Sequence, residues 1–297
     1  MIKHIDEMNA YLEKREKQFG MNFGLERMHE LVRILDIRLT EMKFVHIAGT
    51  NGKGSTLHFL EGILSSHGLR TATYTSPHIE TMMERITYNQ EFIPEEDFLR
   101  IFNGVVSSLE QLEREDLFPT QFEILTIIAL LYFQEKKPDI ILMETGLGGR
   151  LDSTNVIDPL LSIITNISLD HTNILGDNIK SIAFEKAGII KKDRLTVTGA
   201  KQPEALEVIH AKAKEQGNSL YTLGTDIQVH QTRPAAKGEY FNFAFGEQQF
   251  EDLYIEMLGK HQTENASLAV TSAILLQPLL GFTIEEGLMR GGLKRSV

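Results

Sequence analysis

The chain lacks cysteine and tryptophan, and it has no long uninterrupted apolar run. Without cysteine it can form neither disulfides nor thiolate metal sites, which fits a reducing compartment. Its longest apolar stretch, residues 124–133, is interrupted by Thr126 and is too short to span a bilayer. Charged residues stand at the N-terminus where a signal peptide needs an apolar segment. We therefore expect a cytoplasmic protein without a membrane partner.

Positive charge is also scarce, because 30 Lys and Arg residues stand against 41 Asp and Glu residues, for a net charge of −11. This balance argues against a general nucleic-acid surface and requires any anion site to be built from a few local cations. The length of 297 residues allows one large domain or two modest ones. A hydrophobic content of 42% is that of an ordinary globular protein.

The order of apolar segments is typical of an α/β fold, with a P-loop-type, mostly parallel sheet flanked by helices. Strands are predicted at residues 43–48, 71–75, 139–144, 160–166 and 194–198. Helices are predicted at residues 4–18, 25–38, 55–67, 95–113, 121–136, 177–187, 203–216 and 262–276. Residues 219–257 predict a small antiparallel sub-sheet, with a turn at Pro234 and Gly238. Residues 291–297 are expected to form a connecting segment.

The clearest functional pattern is an apolar strand that leads into a glycine-rich loop and then a helix. The loop reads Gly49, Thr50, Asn51, Gly52, Lys53, Gly54, Ser55. Glycines let backbone N–H groups turn toward an anion, the helix dipole favours negative charge there, and Lys53 adds a mobile cation. The spacing differs from the general P-loop, which has four residues between its glycines and Ser or Thr directly after Lys. In this context the loop predicts nucleoside triphosphate binding rather than an ordinary turn.

Polar residues also follow other predicted strands, at the sheet edge where α/β proteins bind ligands. Glu144 ends one strand, and a carboxylate there suits a nucleotide-bound Mg²⁺. His171 follows the next strand, but on the residues alone a metal role and a structural role are equally open. Lys186 lies near a helix end, and residues 120–123 match a capping box. Both patterns can be explained by helix structure alone, and spacing does not distinguish that explanation from a functional role.

Taken together, these segments resemble the folylpolyglutamate synthase/dihydrofolate synthase family of the Mur-ligase superfamily over nearly the whole chain. The shared landmarks are Phe23 to Arg27, Gly49 to Ser55, Thr75 to His78, Glu84 to Ile86, Glu144 to Asn155, Leu169 to Thr172, Glu185 to Ile190 and His261 to Ala266. The resemblance implies an ATP-dependent ligase that phosphorylates a substrate carboxylate and lets the amino group of L-glutamate attack the acyl phosphate. The implied substrates are folates or dihydropteroate, and the implied state is a monomer.

The resemblance also implies roles for single residues. The nucleotide would be bound by Gly49, Thr50, Asn51, Gly52, Lys53, Gly54, Ser55 and Asn265. Magnesium would be held by Ser76, Glu144 and His171, and Lys186 matches a position that family members carry as a carbamate. The carbamate is chemically reasonable, because partial burial favours the neutral amine that CO₂ requires. The implied catalytic residues are Lys53, Lys186 and His171. The folate or pteroate would contact Gly24, Leu25, Arg27, Phe122, Glu123, Leu151, Asp152 and Ser153.

Two alternatives stay open beside the folate-type ligase. One is a murein-type amino-acid ligase, although those enzymes usually carry Thr after the lysine where this chain has Gly54. The other is a nucleotide-binding fragment without turnover. The resemblance implies a second α/β domain beyond the position of Val297, which would carry the glutamate-ligase part. Residues 1–297 would then be the ATP-binding domain, expected to bind ATP weakly without ligating glutamate.

Overall fold

The computed structural model describes residues 2–20 and 22–295. The helices within these residues are α1 (Ile5–Phe19), α2 (Glu26–Ile34), α3 (Lys53–Ser66), α4 (Glu95–Arg114), α5 (Gln121–Lys136), α6 (Thr172–Leu175), α7 (Ile179–Ala187), α8 (Pro203–Glu215), α9 (Lys260–Leu280) and α10 (Glu286–Arg295). The strands are β1 (Phe44–Ala48), β2 (Thr71–Tyr74), β3 (Ile86–Tyr88), β4 (Glu91–Phe92), β5 (Ile140–Glu144), β6 (Leu161–Ile164), β7 (Leu195–Thr198), β8 (Ser219–Thr222), β9 (Ile227–Ala235), β10 (Gly238–Phe245) and β11 (Gln248–Ile255).

The main sheet has eight strands in the order β4-β3-β2-β5-β1-β6-β7-β8. The six strands β2-β5-β1-β6-β7-β8 pair in parallel with their neighbours. At the other edge, β3 pairs antiparallel with β2 and with β4. The α/β class with a mostly parallel sheet is therefore confirmed. Because β1 lies between β5 and β6, the segments that follow these three strands meet at one edge of the sheet.

Helices cover both faces of this sheet, which explains why its strands are apolar without alternation. On one face, α1, α2, α4 and α5 pack against side chains such as Phe44 and Met143. On the other face, α3, α9 and α10 pack against side chains such as Val45 and Leu142. Consecutive residues of one strand thus enter different cores, as the period of two in a strand requires.

The predicted antiparallel sub-sheet is confirmed for β9, β10 and β11, which form a separate three-stranded sheet. Its predicted start at residue 219 is wrong, because Ser219–Thr222 pairs in parallel with β7 and extends the main sheet. The turn is also displaced, since Pro234 pairs with Glu239 within the β9–β10 ladder and residues 236–237 make the turn. Pro234 is tolerated there because β9 is an edge strand of its sheet.

The segment predicted as a connection, residues 291–297, is helical over 291–295, where it completes α10. This helix packs closely on α3: a Cβ at Gly292 would lie 2.5 Å from the carbonyl oxygen of Gly62. Met289 and Leu293 are buried in the same contact. Ser296 and Val297 lie outside the described residues. Within the described part of the chain, no helix is both long and apolar enough to cross a membrane.

Candidate functional site

The glycine-rich loop is shaped by close contacts that leave no room for side chains. Gly52 has φ +78°, and a Cβ there would lie 2.5 Å from Oδ1 of Asn265. A Cβ at Gly49 would lie 1.8 Å from Oγ1 of Thr165. Gly52 is also the N-cap of α3, and no side chain caps that helix. The first N–H groups of α3 are therefore available to an anion, and the helix dipole favours one there.

The segment after β6 fixes the conformation of the loop. The backbone N–H of Thr50 donates to the carbonyl oxygen of Asn166 at 3.1 Å, and that of Asn51 donates to Oδ1 of Asn166 at 2.9 Å. The hydroxyl of Thr165 donates to the carbonyl oxygen of Asn51 at 2.7 Å. Sequence reasoning missed Thr165 and Asn166, although their place at the end of the predicted strand 160–166 was the signal that could have found them.

Two lysines and a carboxylate meet beside this loop. Nζ of Lys53 donates to the carbonyl oxygen of Gly49 at 3.2 Å and lies 3.7 Å from Oε1 of Glu144. Nζ of Lys186 donates to the same carbonyl oxygen at 2.8 Å. Burial, with help from the charge of Lys53, lowers the pKa of Lys186 to about 8. The structure thus brings together three predicted residues that lie far apart in the sequence.

Glu144 is the buried carboxylate at the end of β5. Burial raises its pKa to about 7, although Lys53 and a hydrogen bond from the backbone N–H of Ser76 both act to lower it. Gly54 is in contact range, since its Cβ would lie 3.8 Å from Oε2 of Glu144. An open cleft of about 540 Å³ adjoins the carboxylate and is called here the carboxylate cleft. Its lining includes Gly54, Ser55, His58, Ser76, Ile79, Glu84, Phe92 and Glu144.

Glu144 and Ser76 fit the oxygen chemistry that Mg²⁺ prefers, since a carboxylate and a hydroxyl-bearing residue line the same cleft. The carboxylate is also short of positive charge, because burial holds its pKa near neutrality. A divalent cation would correct that deficit.

The third residue predicted to bind magnesium, His171, is placed differently. It is the N-cap of the short helix α6, with φ +47°, and its half-exposed side chain lies 3.6 Å from Oδ2 of Asp170. The described residues contain no group of three His, Asp or Glu side chains able to hold a metal ion. A metal role for His171 stays a prediction.

A second cleft, of about 480 Å³, lies on the other side of the loop and shares Gly52 and Ser55 with the first. It is called here the amide cleft, because amide side chains dominate its lining: Asn51, Asn166, Gln202, Gln262 and Asn265. Asn265 donates to Oε1 of Gln262 at 2.9 Å. The structure thus places Asn265, predicted from its motif, directly beside the loop. Ser55 stands where the two clefts meet.

Two of the residues predicted to contact the folate or pteroate, Arg27 and Glu123, form a buried ion pair. Nε of Arg27 donates to both carboxylate oxygens of Glu123, at 2.9 and 3.1 Å, and its Nη2 donates to the carbonyl oxygen of Asn22 at 2.6 Å. The backbone N–H of Thr120 donates to Oε2 of Glu123 at 2.7 Å, which completes the predicted capping box. Arg27 and Glu123 are both buried.

Asp152 is likewise committed to its own loop. Its Oδ2 accepts from the backbone N–H of Leu147 at 2.8 Å, and its Oδ1 accepts from that of Thr154 at 3.0 Å. The hydroxyl of Thr154 lies 2.8 Å from Nε2 of His46, a fully buried residue in β1. Burial raises the pKa of Asp152. This network holds the turn that follows Glu144.

The remaining predicted substrate residues stand around the same region. The ring of Phe122 fills the space above Gly146, where a Cβ would lie 2.6 Å from it. Leu25 is the N-cap of α2, and Gly24 precedes it with φ +127°. Leu151 and Ser153 flank Asp152 and are partly buried. Contact with a substrate stays a prediction for all of them.

Comparisons with known proteins show which family the chain belongs to. The family model for the Mur ligase middle domain matches residues 47–273. The dihydrofolate synthase/folylpolyglutamate synthase of Bacillus subtilis is 40% identical over 281 residues, which are 94% of this chain and 65% of that protein. The folylpolyglutamate synthase of Lacticaseibacillus casei is 34% identical over 83% of this chain and 59% of its own length.

Solved structures give the same result. The FPGS–AMPPCP complex superposes with a TM-score of 0.93 and 31% identity, over 99% of this chain and 72% of that one. The Thermotoga maritima folylpolyglutamate synthase superposes with a TM-score of 0.87 and 38% identity, over 97% and 65%. This chain spans less than two thirds of the length of the two curated relatives named above. The chain belongs to the Mur ligase family, and within it to the folylpolyglutamate synthase/dihydrofolate synthase group.

Proposed function

We propose that this chain is the ATP-binding part of a ligase that adds L-glutamate to folate polyglutamates, and to dihydropteroate where the enzyme is bifunctional. The observation that carries the proposal is the pairing of Lys53 with the buried Glu144, 3.7 Å apart, beside the uncapped start of α3. The names of the relatives support the choice of folate and glutamate over a murein substrate.

The nucleotide would lie across the loop, with its phosphates on the N-terminus of α3 and on Lys53. Its base and ribose would occupy the amide cleft, because neutral amides suit an uncharged nucleoside better than a further anion. Asn265, which touches Gly52, would contact the nucleoside. The terminal phosphate would then face the carboxylate cleft, where Glu144 lines the wall.

Glu144 and Ser76 would hold magnesium, which supplies positive charge to the phosphates when it is bound. The proposed role of His171 as a further ligand requires its side chain to turn away from Asp170. Lys186 would carry the carbamate, since a pKa of about 8 leaves a usable fraction of neutral amine at physiological pH. That modification would replace a buried cation with an anion beside Lys53.

In the proposed reaction, an oxygen of the substrate carboxylate attacks the terminal phosphorus, an O–P bond forms and the bond to the leaving ADP breaks. The amino group of glutamate then attacks the acyl carbon: a C–N bond forms, the acyl C–O bond breaks to release inorganic phosphate, and the nitrogen gives up a proton to solvent. Lys53 and the loop amides would position and neutralise the phosphates during the first step. They would act by orientation and charge rather than by covalent chemistry.

The carboxylate cleft is open to solvent, and Ile79 on its wall is 92% exposed. An acyl phosphate formed there would meet water, which hydrolyses it. We therefore propose that residues 1–297 by themselves bind magnesium ATP without completing ligation.

Replacing Lys53 with alanine tests the nucleotide proposal. We expect Lys53→Ala to weaken binding of magnesium ATP at least about tenfold in calorimetry, because a charge-assisted contact to phosphate is lost. The matched control is Lys180→Ala, which removes an exposed lysine that pairs with Glu207 outside both clefts. Equal ATP affinity in Lys53→Ala and the parent chain would refute the proposal.

A further inference from the structure

Two charged residues line the amide cleft, and they bond to each other. Nζ of Lys201 donates to Oε1 and to Oε2 of Glu264, both at 2.7 Å. The other described residues that line this cleft carry no full charge, apart from the ionisable His261. The pair therefore leaves the cleft close to neutral while it keeps a carboxylate on its wall.

The pair joins two separate walls of the cleft. Lys201 lies in the loop between β7 and α8, whereas Glu264 lies in the second turn of α9. The wall that carries Lys201 is already held elsewhere: the side-chain amide of Gln202 donates to the carbonyl oxygen of Ile167 at 2.7 Å. Gly199 packs against Thr165 so closely that a Cβ there would lie 2.2 Å from its carbonyl oxygen. The ion pair is therefore not what holds this wall in place.

The exposure of the two side chains also differs. The side chain of Lys201 is 61% exposed, while that of Glu264 is 23% exposed. Glu264 is thus the member that is seated in the cleft, and Lys201 reaches it from the solvent side. An exposed ion pair of this kind contributes little to stability, so stability alone gives no reason for a carboxylate at this position.

The carboxylate of Glu264 retains hydrogen-bonding capacity. A carboxylate has about four lone-pair sites, and the ammonium group of Lys201 uses one on each oxygen. The next residue, Asn265, touches the phosphate loop at Gly52. The free acceptor sites of Glu264 therefore lie on the same wall as the residue proposed to contact the nucleoside.

We propose that Glu264 is a specificity-determining residue for the nucleoside, and that it accepts a hydrogen bond from an uncharged donor of that nucleoside. This inference rests on the proposed ATP function. Lys201 orients the carboxylate through its two hydrogen bonds. Two donors share this chemistry, the ribose hydroxyls and the exocyclic amine of the base. A nucleotide without the donor binds less tightly, because it covers the remaining acceptor sites of Glu264 and offers them no donor in place of water.

The test compares four triphosphates with magnesium by calorimetry on the parent chain and on Glu264→Ala, which removes both acceptor oxygens. The ligands are ATP, 2′-deoxyATP, 3′-deoxyATP and purine riboside triphosphate, which lacks the exocyclic amine. We expect the parent to prefer ATP about tenfold over at least one analogue, and Glu264→Ala to reduce that preference to about twofold or less. The analogue whose disadvantage disappears identifies the donor.

The matched control is Glu207→Ala, because Glu207 also pairs with a lysine at 2.7 Å but lies on α8 outside both clefts. It should retain the selectivity of the parent. If Glu264→Ala retains that selectivity too, or if the parent binds all four ligands equally, the inference is wrong while the proposed function stands. If the parent binds none of them, or if Lys53→Ala binds ATP as well as the parent does, the proposed function fails as well.

Discussion

The phosphate loop and the region around Arg27, Glu123 and Asp152 were both expected to bind ligands, yet their polar groups differ in what they bond to. At the loop, the N-terminus of α3 has no side-chain cap, and Lys53 approaches Glu144 only to 3.7 Å. In the other region, the two carboxylates each accept several hydrogen bonds from the protein. Only the loop region has groups that are ready for an external ion.

A charged residue inside a family motif therefore need not contact the ligand directly. The Arg27–Glu123 pair and the network of Asp152 fix the start of α5 and the turn after Glu144. Both would shape a wall of the substrate site through backbone position and apolar surface. Variants that separate loss of folding stability from loss of ligand affinity test this difference between the two regions.

The largest effect on stability is expected from Glu123→Gln. It leaves the buried guanidinium of Arg27 without its countercharge, and breaking a buried pair in this way costs about 3 kcal/mol or more of unfolding free energy. Urea denaturation of the parent and the variant measures the loss. The control is Glu135→Gln, because Glu135 pairs with Arg100 at the surface, where both side chains are about half exposed. That change should cost less than about 1 kcal/mol.

If Glu123→Gln were as stable as Glu135→Gln, the Arg27–Glu123 pair would not hold the fold. Its charges would then be free for the substrate, as the motif alone suggested. A variant that stays stable but loses folate binding would show that the Arg27–Glu123 pair contacts the substrate instead of stabilising the fold.

His46 provides a second, smaller effect that depends on pH. Burial, helped by the charge of Lys191, lowers the pKa of His46 from 6.5 to about 3. Between these values the unfolded chain binds a proton that the folded chain does not, so stability falls as pH drops through this window. One such group changes the free energy of unfolding by about 1.4 kcal/mol per pH unit.

We expect His46→Gln to keep an acceptor or donor for Thr154 and to flatten the dependence of unfolding free energy on pH by about that slope. Urea denaturation between about pH 4.5 and 6.5, a range that lies within this window, measures the slope. An unchanged slope would mean that His46 is protonated in the folded protein.

The sequence predicted much of the fold because the decisive signals were local. Unbroken apolar runs located the five parallel strands around β1, and glycines and caps located the helix ends to within a few residues. The pattern failed where pairing partners decided the outcome. Ser219–Thr222 has no local feature that separates an extra parallel strand from a hairpin, and its alignment with β7 settles the matter. The last helix was missed because its glycines at 291 and 292 indicate a loop, whereas Gly292 allows close packing on α3.

The candidate site was predictable in part for the same reason. Glu144, Ser76 and Lys53 lie at strand ends or in a loop next to a strand, so topology alone brings them together. Lys186 bonds to the carbonyl oxygen of Gly49 across 137 residues of sequence, and Arg27 pairs with Glu123 across 96. No spacing rule reports such contacts.

We propose that Lys53 and Glu144 form a magnesium-dependent nucleotide site rather than a purely structural contact. The most direct test measures ATP affinity with and without magnesium in the parent, in Glu144→Gln and in the surface control Glu207→Gln. We expect magnesium to improve the affinity of the parent and the control at least about tenfold, and to give Glu144→Gln little of that gain, because the amide lacks the charge that holds the ion. An equal magnesium gain in all three proteins would contradict the account.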